Sequence, residues 1–345
     1  MLIETQDTDV ITDATTLIEM STHILEAVGV PNDDAHLVAD SLVQADLWGH
    51  LSHGVLRLPW YVRRLQSGAM KAVNDMRVIS DLGAVLTIDG NDGIGQVLTN
   101  HARAEAVSRA KTHGIGAVAV KNSNHFGTAM YFTRRAAAQG CVSILTTNAS
   151  PAMAPWGGRE KKLGTNPWSI AAPFGESAAV VDMANTAVAR GKIYQARQQG
   201  IEIPETWAIT SEGAPTTDPS EAIDGVILPM AGHKGYAISF MMDVLSGVLT
   251  GSQHGTKVHG PYEPSPRGGA GHLFIALDVA AFRDPTDFED ALSDLVDEVK
   301  STPKAQGFEE IFYPGELEDR AHRAHLRDGI PLPAKTWEEL QGLAN

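Results

Sequence analysis

Between residues 11 and 70 apolar positions recur every three or four residues. Leu17, Met20, Ile24, Leu25 and Val28 mark a helix that Thr12 or Asp13 can cap and Gly29 ends. Pro31-Asn-Asp-Asp opens a second helix carrying Leu37, Val38, Leu42 and Val43, and a third runs from about Gly54 to Gln66, stopping at Ser67-Gly68. From residue 80 the period changes. Ala84-Val-Leu-Thr-Ile-Asp, Gly116 to Val120, Val142 to Thr147 and Ser177 to Asp182 read as short strands. Gln96 to Thr112, rich in alanine, and Thr128 to Gln139 read as helices between them. This alternation predicts an α/β sheet.

The repeat is not regular. Ile144 to Pro173 holds a long loop with little periodicity, punctuated by Pro151, Pro155, Gly157-Gly158, Gly164 and Pro167, and ordered loops of that length are commonly functional. Tyr236 to Thr250 carries apolar residues almost all the way round, the pattern of a central buried helix. Gly251 to Gly269 is a polar, glycine- and proline-rich excursion, and Leu273-Phe-Ile-Ala-Leu returns as a strand. An amphipathic helix follows over about Asp287 to Lys300, and the charged tail from Pro314 reads as short helices.

With 345 residues, 43% of them hydrophobic, the chain suits two or three intertwined lobes better than one small core. The formal net charge of −15 argues against binding nucleic-acid phosphates or anionic lipid. An anionic substrate would then need a local pocket of Arg, Lys and His. The one cysteine, Cys141, cannot form an internal disulfide and reads as a small buried hydrophobe. The start, Met1-Leu-Ile-Glu-Thr-Gln-Asp-Thr-Asp, is acidic and lacks a basic stretch followed by an apolar core, and no apolar run reaches bilayer length. A cytoplasmic protein is expected.

Four stretches can carry chemistry. In Val118-Ala-Val-Lys-Asn-Ser-Asn-His125-Phe-Gly-Thr-Ala a strand ends in a polar loop holding one histidine, the place where α/β proteins put reacting groups. His125 is therefore either a proton carrier or a satisfied structural histidine. In His50-Leu-Ser-His53-Gly-Val-Leu-Arg57-Leu-Pro-Trp-Tyr61 a helix would bring His53, Arg57 and Tyr61 to one face, with Pro59 able to break the register. Arg57 offers a fork for a carboxylate, or it pairs with acids such as Asp46. His50 and His53 also have metal-ligand spacing, without a third ligand at a suggestive distance. Gly232-His-Lys234-Gly235 at a helix start suits an anion or is merely a glycine-rich entry. Asp182, at the end of a strand, can hold a ribose hydroxyl, orient a histidine or cap a helix from Thr186 onward. No Gly-x-Gly-x-x-Gly follows a strand, since Gly93-Ile-Gly95 and Gly114-Ile-Gly116 both lack the third glycine, and no phosphate-binding P-loop occurs. Any nucleotide must be held without the Rossmann turn.

Together these stretches resemble the type 2 malate/L-lactate dehydrogenase family, which also holds ureidoglycolate, sulfolactate and 2,3-diketogulonate enzymes and Δ1-piperideine-2-carboxylate reductases. The matching words are Ser52-His-Gly-Val-Leu-Arg57, Asn124-His-Phe-Gly127, Pro155-Trp-Gly-Gly158, Leu163-Gly-Thr-Asn-Pro167 and Val181-Asp-Met-Ala184. Further matches are Arg190-Gly-Lys192, Ile203-Pro-Glu-Thr-Trp207, Thr217-Asp-Pro219, Leu228-Pro-Met-Ala-Gly-His-Lys-Gly235 and Tyr313-Pro-Gly-Glu316. The resemblance implies a non-Rossmann NAD(P)-binding α/β fold with a central mixed sheet and helical N- and C-terminal parts. Residues 1–75 would form the helical part, packing with the tail 318–345, and residues 76–317 the NAD(P)-binding domain. It implies NAD or NADP as cofactor, a small anionic carboxylate as substrate, and a homodimer.

By the same resemblance Asp182, Met183 and Ala184 line the cofactor, Asn148 and Ala149 border it, Lys234 meets it, and Gly315 and Glu316 close over it. Arg57 grips the substrate carboxylate with Tyr61 and Ser52 nearby. Either His125 or His53 carries the proton, and His125 is favoured because a strand end gives a fixed position. The expected reaction is hydride transfer between NAD(P) and a 2-hydroxy or 2-oxo acid of malate, lactate or ureidoglycolate type. A base must then take the hydroxyl proton while the guanidinium fixes which face of C2 meets the nicotinamide. Reduction of a cyclic imino acid is the near alternative. A metal-dependent hydrolase built on His50, His53, His254 and His259 is the distant one.

Overall fold

The computed structural model describes residues 9–345, so the leaderless reading of Met1 to Thr8 lies outside the described residues. Among these, seven strands form one sheet in the spatial order Arg77–Asp81, Val85–Asp89, Ile115–Ser123, Ala270–Asp278, Cys141–Thr147, Trp168–Phe174 and Ser177–Met183. Val85–Asp89 and Ile115–Ser123 run parallel and are joined by the helix Gly95–His113; every other neighbouring pair is antiparallel. A parallel pair needs such a crossover, whereas the antiparallel partners need only turns. The mixed sheet follows directly.

One face of the sheet is covered by the helices Gly95–His113 and Met130–Ala137. Leu86, Ile88, Val118, Val120, Leu145 and Phe274 meet Leu98, Ala102, Ala106 and Phe132 in a continuous apolar core. The alanines explain the helix's low amphipathic contrast, because their small side chains let its axis lie close to the strands. On the other face Val244–Val248 crosses the sheet, with Ser246 Oγ bonded to Thr146 Oγ1 at 2.8 Å.

A second apolar core joins the helices Ala14–Ala27, Asn32–Leu47 and Leu58–Ser67 to Ile330, Leu332 and Leu340 of the C-terminal segment. Asp13 caps the first of these helices, accepting from Thr16 N at 2.9 Å. The tail is not purely helical. Ile330–Pro333 is a strand paired antiparallel with Asp9–Thr12, and its two prolines fit a two-stranded edge where few donors are needed.

Several elements depart from the periodic reading. Arg77–Asp81 was not legible because all five of its residues are exposed. Trp168–Phe174, inside the expected long loop, pairs with strands on both sides; its fully buried residues are the small Ser169 and Ala171, so the apolar run Trp-Ser-Ile-Ala-Ala-Pro-Phe shows no apolar/polar alternation. The third helix starts at Leu58, with Pro59 in its first turn, after two short 3-10 turns at Leu51–His53 and Val55–Arg57. Proline therefore opens that helix rather than breaking it, and the single helical face for His53, Arg57 and Tyr61 does not exist.

The expected central helix is also corrected. It begins at His233, runs to Asp243 and passes into a π turn at Val244–Val248. Its buried residues are Gly235, Ser239 and Asp243, while Phe240, Met241, Val248 and Leu249 are 48%, 49%, 57% and 62% exposed. All-round apolarity reflects one face packed on small and polar groups and another left uncovered by this chain.

The fit between the crossover helix and its strand is testable. A Cβ at Gly116 would lie 2.0 Å from the carbonyl oxygen of Ala106, a backbone atom that cannot swing aside. Gly116→Ala is expected to lower stability by about 1–3 kcal/mol in urea denaturation, the usual scale of overpacking. An unchanged midpoint would mean that the helix sits further from the strand.

Candidate active site

The strand Ile115–Ser123 delivers His125 two residues past its end, and three contacts fix the loop there. The helix Gly95–His113 starts against it so closely that a Cβ on Gly95 would lie 2.4 Å from the carbonyl oxygens of both Asn124 and His125. Asn124 Nδ2 donates to the carbonyls of Asp92 at 3.1 Å and Gly93 at 2.9 Å. Arg64, 2% exposed, donates from Nη2 to Asn124 Oδ1 at 3.0 Å and to Pro266 O at 2.9 Å, and from Nη1 to Glu263 O. The glycines at 90, 93 and 95 are thus spent on packing: Gly90 faces the Lys121 and Asn122 carbonyls and Gly93 faces Asn74.

Around His125 the structure gathers Tyr61, His53 and Arg57, from segments some 65 residues earlier. Tyr61 Oη lies 2.7 Å from His125 Nδ1, and the Gly127 N–H donates to the same nitrogen at 3.2 Å. The His53 ring stacks on His125 with centroids 5.8 Å apart and planes 23° from parallel. Ser52 organises the neighbours: its Oγ lies 2.9 Å from His53 Nδ1 and its carbonyl accepts from Arg57 Nε at 2.6 Å. Beneath them Asp46 Oδ2 accepts from the Val55 N–H at 2.9 Å, fixing the turn between His53 and Arg57. Arg57 lies over the Trp60 ring at 4.3 Å, and its two terminal nitrogens bond to none of the described residues. A half-buried guanidinium stacked on its flat face, with its forked end free, is arranged for a bidentate carboxylate.

Among the described residues no acid balances this cluster, and the electrostatics follow. Burial, then the charges of Arg57 and His50, pull His53 down to about 3. Burial, Arg57 and His53, with His272 and Arg64 behind them, hold His125 well below the ordinary imidazole range. Burial pushes Tyr61 up to about 12, partly opposed by Arg57 and Gln96. Both imidazoles are neutral at physiological pH. An anionic substrate entering beside Arg57 would restore the missing negative charge.

The residues expected at the cofactor are linked by one path of hydrogen bonds. Ala149 N donates to Asn166 Oδ1 at 3.0 Å, Asn185 Nδ2 donates to Asn166 O at 2.7 Å, Met230 N donates to Asn185 O at 2.9 Å, and Gly235 N donates to Met230 O at 3.0 Å. This path places Asn148 and Ala149, the strand end Asp182–Ala184 and the helix entry at Lys234 side by side. Asp182 neither caps a helix from Thr186 nor orients a histidine. Its Oδ2 accepts from Met130 N at 2.8 Å, capping the helix just after the His125 loop, and burial raises its pKa. The Asn148 amide is fully engaged, with Asp243 Oδ1, Gln253 O and Gly271 N at 2.8–2.9 Å. Lys234 is exposed, has no bond to a described residue, and stands in the first turn of a helix with no side-chain cap. That donor set fits the pyrophosphate of a dinucleotide.

Gly315 and Glu316 lie elsewhere along the same strand. Pro314 O accepts from Val180 N at 2.9 Å, and the Glu316 carboxylate is held by Lys300 and Arg320 at 2.7 Å each. The metal-site histidines do not converge. His50 turns to Glu318 at 3.4 Å and His259 to Glu263 at 3.1 Å, and no three His, Cys, Asp or Glu side chains among the described residues share a ligand geometry.

Sequence reasoning missed Gln96 and His272, and Asp46, named there as a partner for Arg57, instead accepts from the Val55 N–H. Gln96 sits in the first turn of the helix behind His125, 1% exposed, with its Nε2 unpartnered. His272 is fully buried between Thr147 Oγ1 at 2.8 Å and Ser123 Oγ at 2.7 Å, packed edge-on to Phe126. A histidine within an apolar strand pattern was the available signal for it.

Fold and site together define a nicotinamide-dependent oxidoreductase outside the Rossmann class. Residues 12–341 match the malate/L-lactate dehydrogenase family. The L-sulfolactate dehydrogenase of Methanocaldococcus jannaschii is 40% identical over 322 residues, 93% of each chain. The ureidoglycolate dehydrogenase (NAD(+)) of Escherichia coli O157:H7 is 33% identical, covering 94% of this chain and 93% of that one, and the (2R)-3-sulfolactate dehydrogenase (NADP(+)) of Chromohalobacter salexigens is 39% identical over 75% and 78%. Among solved structures, the sulfolactate dehydrogenase from Methanocaldococcus jannaschii superposes with a TM-score of 0.93 over 97% of both chains at 39% identity. The delta1-piperideine-2-carboxylate reductase from Pseudomonas syringae pvar. tomato gives 0.85 at 26% identity over 97% of this chain and 99% of its own. The chain belongs to the malate/L-lactate dehydrogenase family, and with it to the NAD- or NADP-dependent oxidoreductases of small 2-hydroxy and 2-oxo acids.

The buried His272 makes a pH prediction. Burial pulls it from 6.5 to about 3, so below pH 6.5 the unfolded chain takes up a proton that the folded chain refuses. Its contribution is fully present above pH 6.5 and lost as pH falls toward 3, roughly 2 kcal/mol between pH 6.5 and 5. Denaturation at those two pH values should show a smaller loss in His272→Gln than in the wild type. Equal losses would assign the acid sensitivity to other groups.

Proposed function

We propose that Arg57 binds the carboxylate of a 2-oxo or 2-hydroxy acid and that His125 serves the C2 oxygen, with His53 and Ser52 orienting the substrate. The observation that carries this reading is the unpaired, half-buried Arg57 fork in the same cluster as two neutral imidazoles. The nicotinamide supplies or accepts the hydride. The protein fixes C2 by its carboxylate, stacks His53 beside the acid–base ring and keeps that ring in place through the Asn124 and Gly95 contacts. Asn148 and Ala149, Asp182 to Ala184, and Lys234 form the cofactor's bed. In this reading Gly315 and Glu316 brace the strand that carries Asp182 and do not close over the cofactor.

Malate and sulfolactate in their 2-oxo forms are the favoured substrates, since the more similar relatives carry those names. A panel of pyruvate, oxaloacetate, sulfopyruvate, ureidoglycolate and Δ1-piperideine-2-carboxylate, run with NADH and NADPH, decides the substrate. Turnover of the imino acid alone would favour the other reading.

We also assign a homodimer, supported by the uncovered Phe240, Met241, Val248 and Leu249, and a cytoplasmic location, supported by the buried, unpaired Cys141. Phe240→Glu should shift the mass in light scattering from dimer to monomer if these side chains meet a second copy.

Two substitutions test the site. Arg57→Lys keeps the charge and loses the planar fork, so KM for the carboxylate substrate should rise at least tenfold while cofactor affinity holds. Lys234→Ala should weaken NADH or NADPH binding by about 1.5–3 kcal/mol, the scale of a charge-assisted contact, as read by fluorescence titration. Unchanged affinity would make Lys234 a helix-entry residue only.

A further inference from the structure

We propose that Tyr61 is the second carrier in a two-proton relay, passing its hydroxyl proton to Nδ1 of His125 as Nε2 gives its proton to the substrate. This rests on the reading above that His125 serves the C2 oxygen. The starting point is a donor that has no choice. The Gly127 N–H points at His125 Nδ1 from 3.2 Å, and an amide N–H can only donate, so Nδ1 must present its lone pair. Tyr61 Oη, 2.7 Å from the same lone pair, then has to donate as well. The proton of the neutral ring is left on Nε2, which has no hydrogen-bond partner among the described residues. The tautomer is set by the protein.

Among the described residues the charged and titratable groups facing this ring are Arg57, His53, His272 and Arg64, together with Tyr61; none of these is a carboxylate that would favour an imidazolium. A neutral imidazole that surrendered its Nε2 proton alone would become imidazolate, a far stronger base than the ring should hold at neutral pH. The transfer becomes accessible only if Nδ1 gains a proton in the same event. Of the two hydrogens aimed at Nδ1, the amide's is not acidic, and the phenol's is.

The balanced step in reduction is as follows. Hydride adds to C2, the carbonyl π pair moves onto oxygen, and that oxygen takes the Nε2 proton. The ring's π system shifts, Nδ1 bonds the Tyr61 proton, and the O–H pair remains on Oη as phenolate. His125 is neutral before and after, with its tautomer exchanged. An alkoxide is a stronger base than a phenolate, so the relay runs downhill from the developing alkoxide to Tyr61. The guanidinium of Arg57 lowers the cost of the phenolate, and the Gln96 amide lies beside the phenol with its Nε2 buried and unpartnered, a donor held in reserve for the oxyanion. Once the alcohol has left, solvent delivers a proton to Nε2 while Nδ1 returns its own to the phenolate, so that Nδ1 again presents its lone pair to the Gly127 N–H. The resting protonation, phenol and Nε2–H together, is the one that reduction needs.

The first test requires no turnover. Long-range 1H–15N spectra of histidine-labelled protein without cofactor should show His125 as the neutral Nε2–H tautomer, and a Nδ1–H tautomer would overturn the relay. The second is kinetic. Under conditions with a primary isotope effect from deuterated NAD(P)H, the wild type should give a bowed proton inventory in H2O/D2O mixtures. Tyr61→Phe, which keeps the ring and the Arg57 spacing, should give a straight line with kcat lower by roughly 10²–10⁴ and KM changed little. A straight inventory in the wild type, or wild-type kcat in Tyr61→Phe, would also overturn the proposal. If no 2-oxo or imino acid is reduced, the functional reading fails instead, and the tautomer spectrum still judges the geometry of the relay.

Discussion

A buried guanidinium ties together the three segments that meet around His125. Arg64 is 2% exposed and is satisfied by the Pro266 and Glu263 carbonyls and the Asn124 side chain. A charge in that position is costly unless its donors are used, so the helix Leu58–Ser67, the Asn124–His125 loop and the excursion Gly251–Gly269 are obliged to meet around it. Those three segments bring Tyr61 and His125 together, with the Glu263 and Pro266 carbonyls closing on the other side of Arg64. Removing the charge would leave carbonyls and an amide unpaired in the interior, and the three segments would lose their common anchor.

Close backbone approach is the second constraint. The glycines of the Gly90–Gly95 turn occupy the position where a dinucleotide fold would wrap a pyrophosphate, and here they are pressed against the backbone of Lys121–His125 and against Asn74. The turn that could have bound phosphate instead fixes a histidine. In the proposed reading phosphate recognition falls to a different helix entry, at Lys234, where the helix start has no side-chain cap and the lysine no acidic partner among the described residues. In that reading one sheet keeps cofactor binding and acid–base chemistry apart yet adjacent, joined through Asp182 and the Met130 N–H.

The charge balance of the site is unusual for so acidic a chain. The net charge of −15 is carried elsewhere, and among the described residues no carboxylate offsets Arg57, His53 and His125. Neutral imidazoles beside an unpaired guanidinium form a site that is electrostatically incomplete without an anion. The protonation of the cluster, a phenol and two neutral rings, is set by burial more than by any single neighbour.

Much of this was legible in the sequence because local patterns suffice for it. The strand Ile115–Ser123, the crossover helix, the capped first helix and the words around His125, Arg57 and Lys234 all rest on short-range periodicity or on residue types whose chemistry is fixed. The strand Trp168–Phe174 and the tail strand Ile330–Pro333 were not legible, since each exists only through a partner distant in sequence. Neither was the exposed side of the helix His233–Asp243, because an all-round apolar surface does not say what covers it. Which nitrogen of His125 is free was settled by an amide two residues on and a phenol 64 residues away. Sequence alone determined which groups were available for chemistry; the tertiary structure decided which of them face one another, because hydrogen-bond direction and burial are properties of the assembled chain.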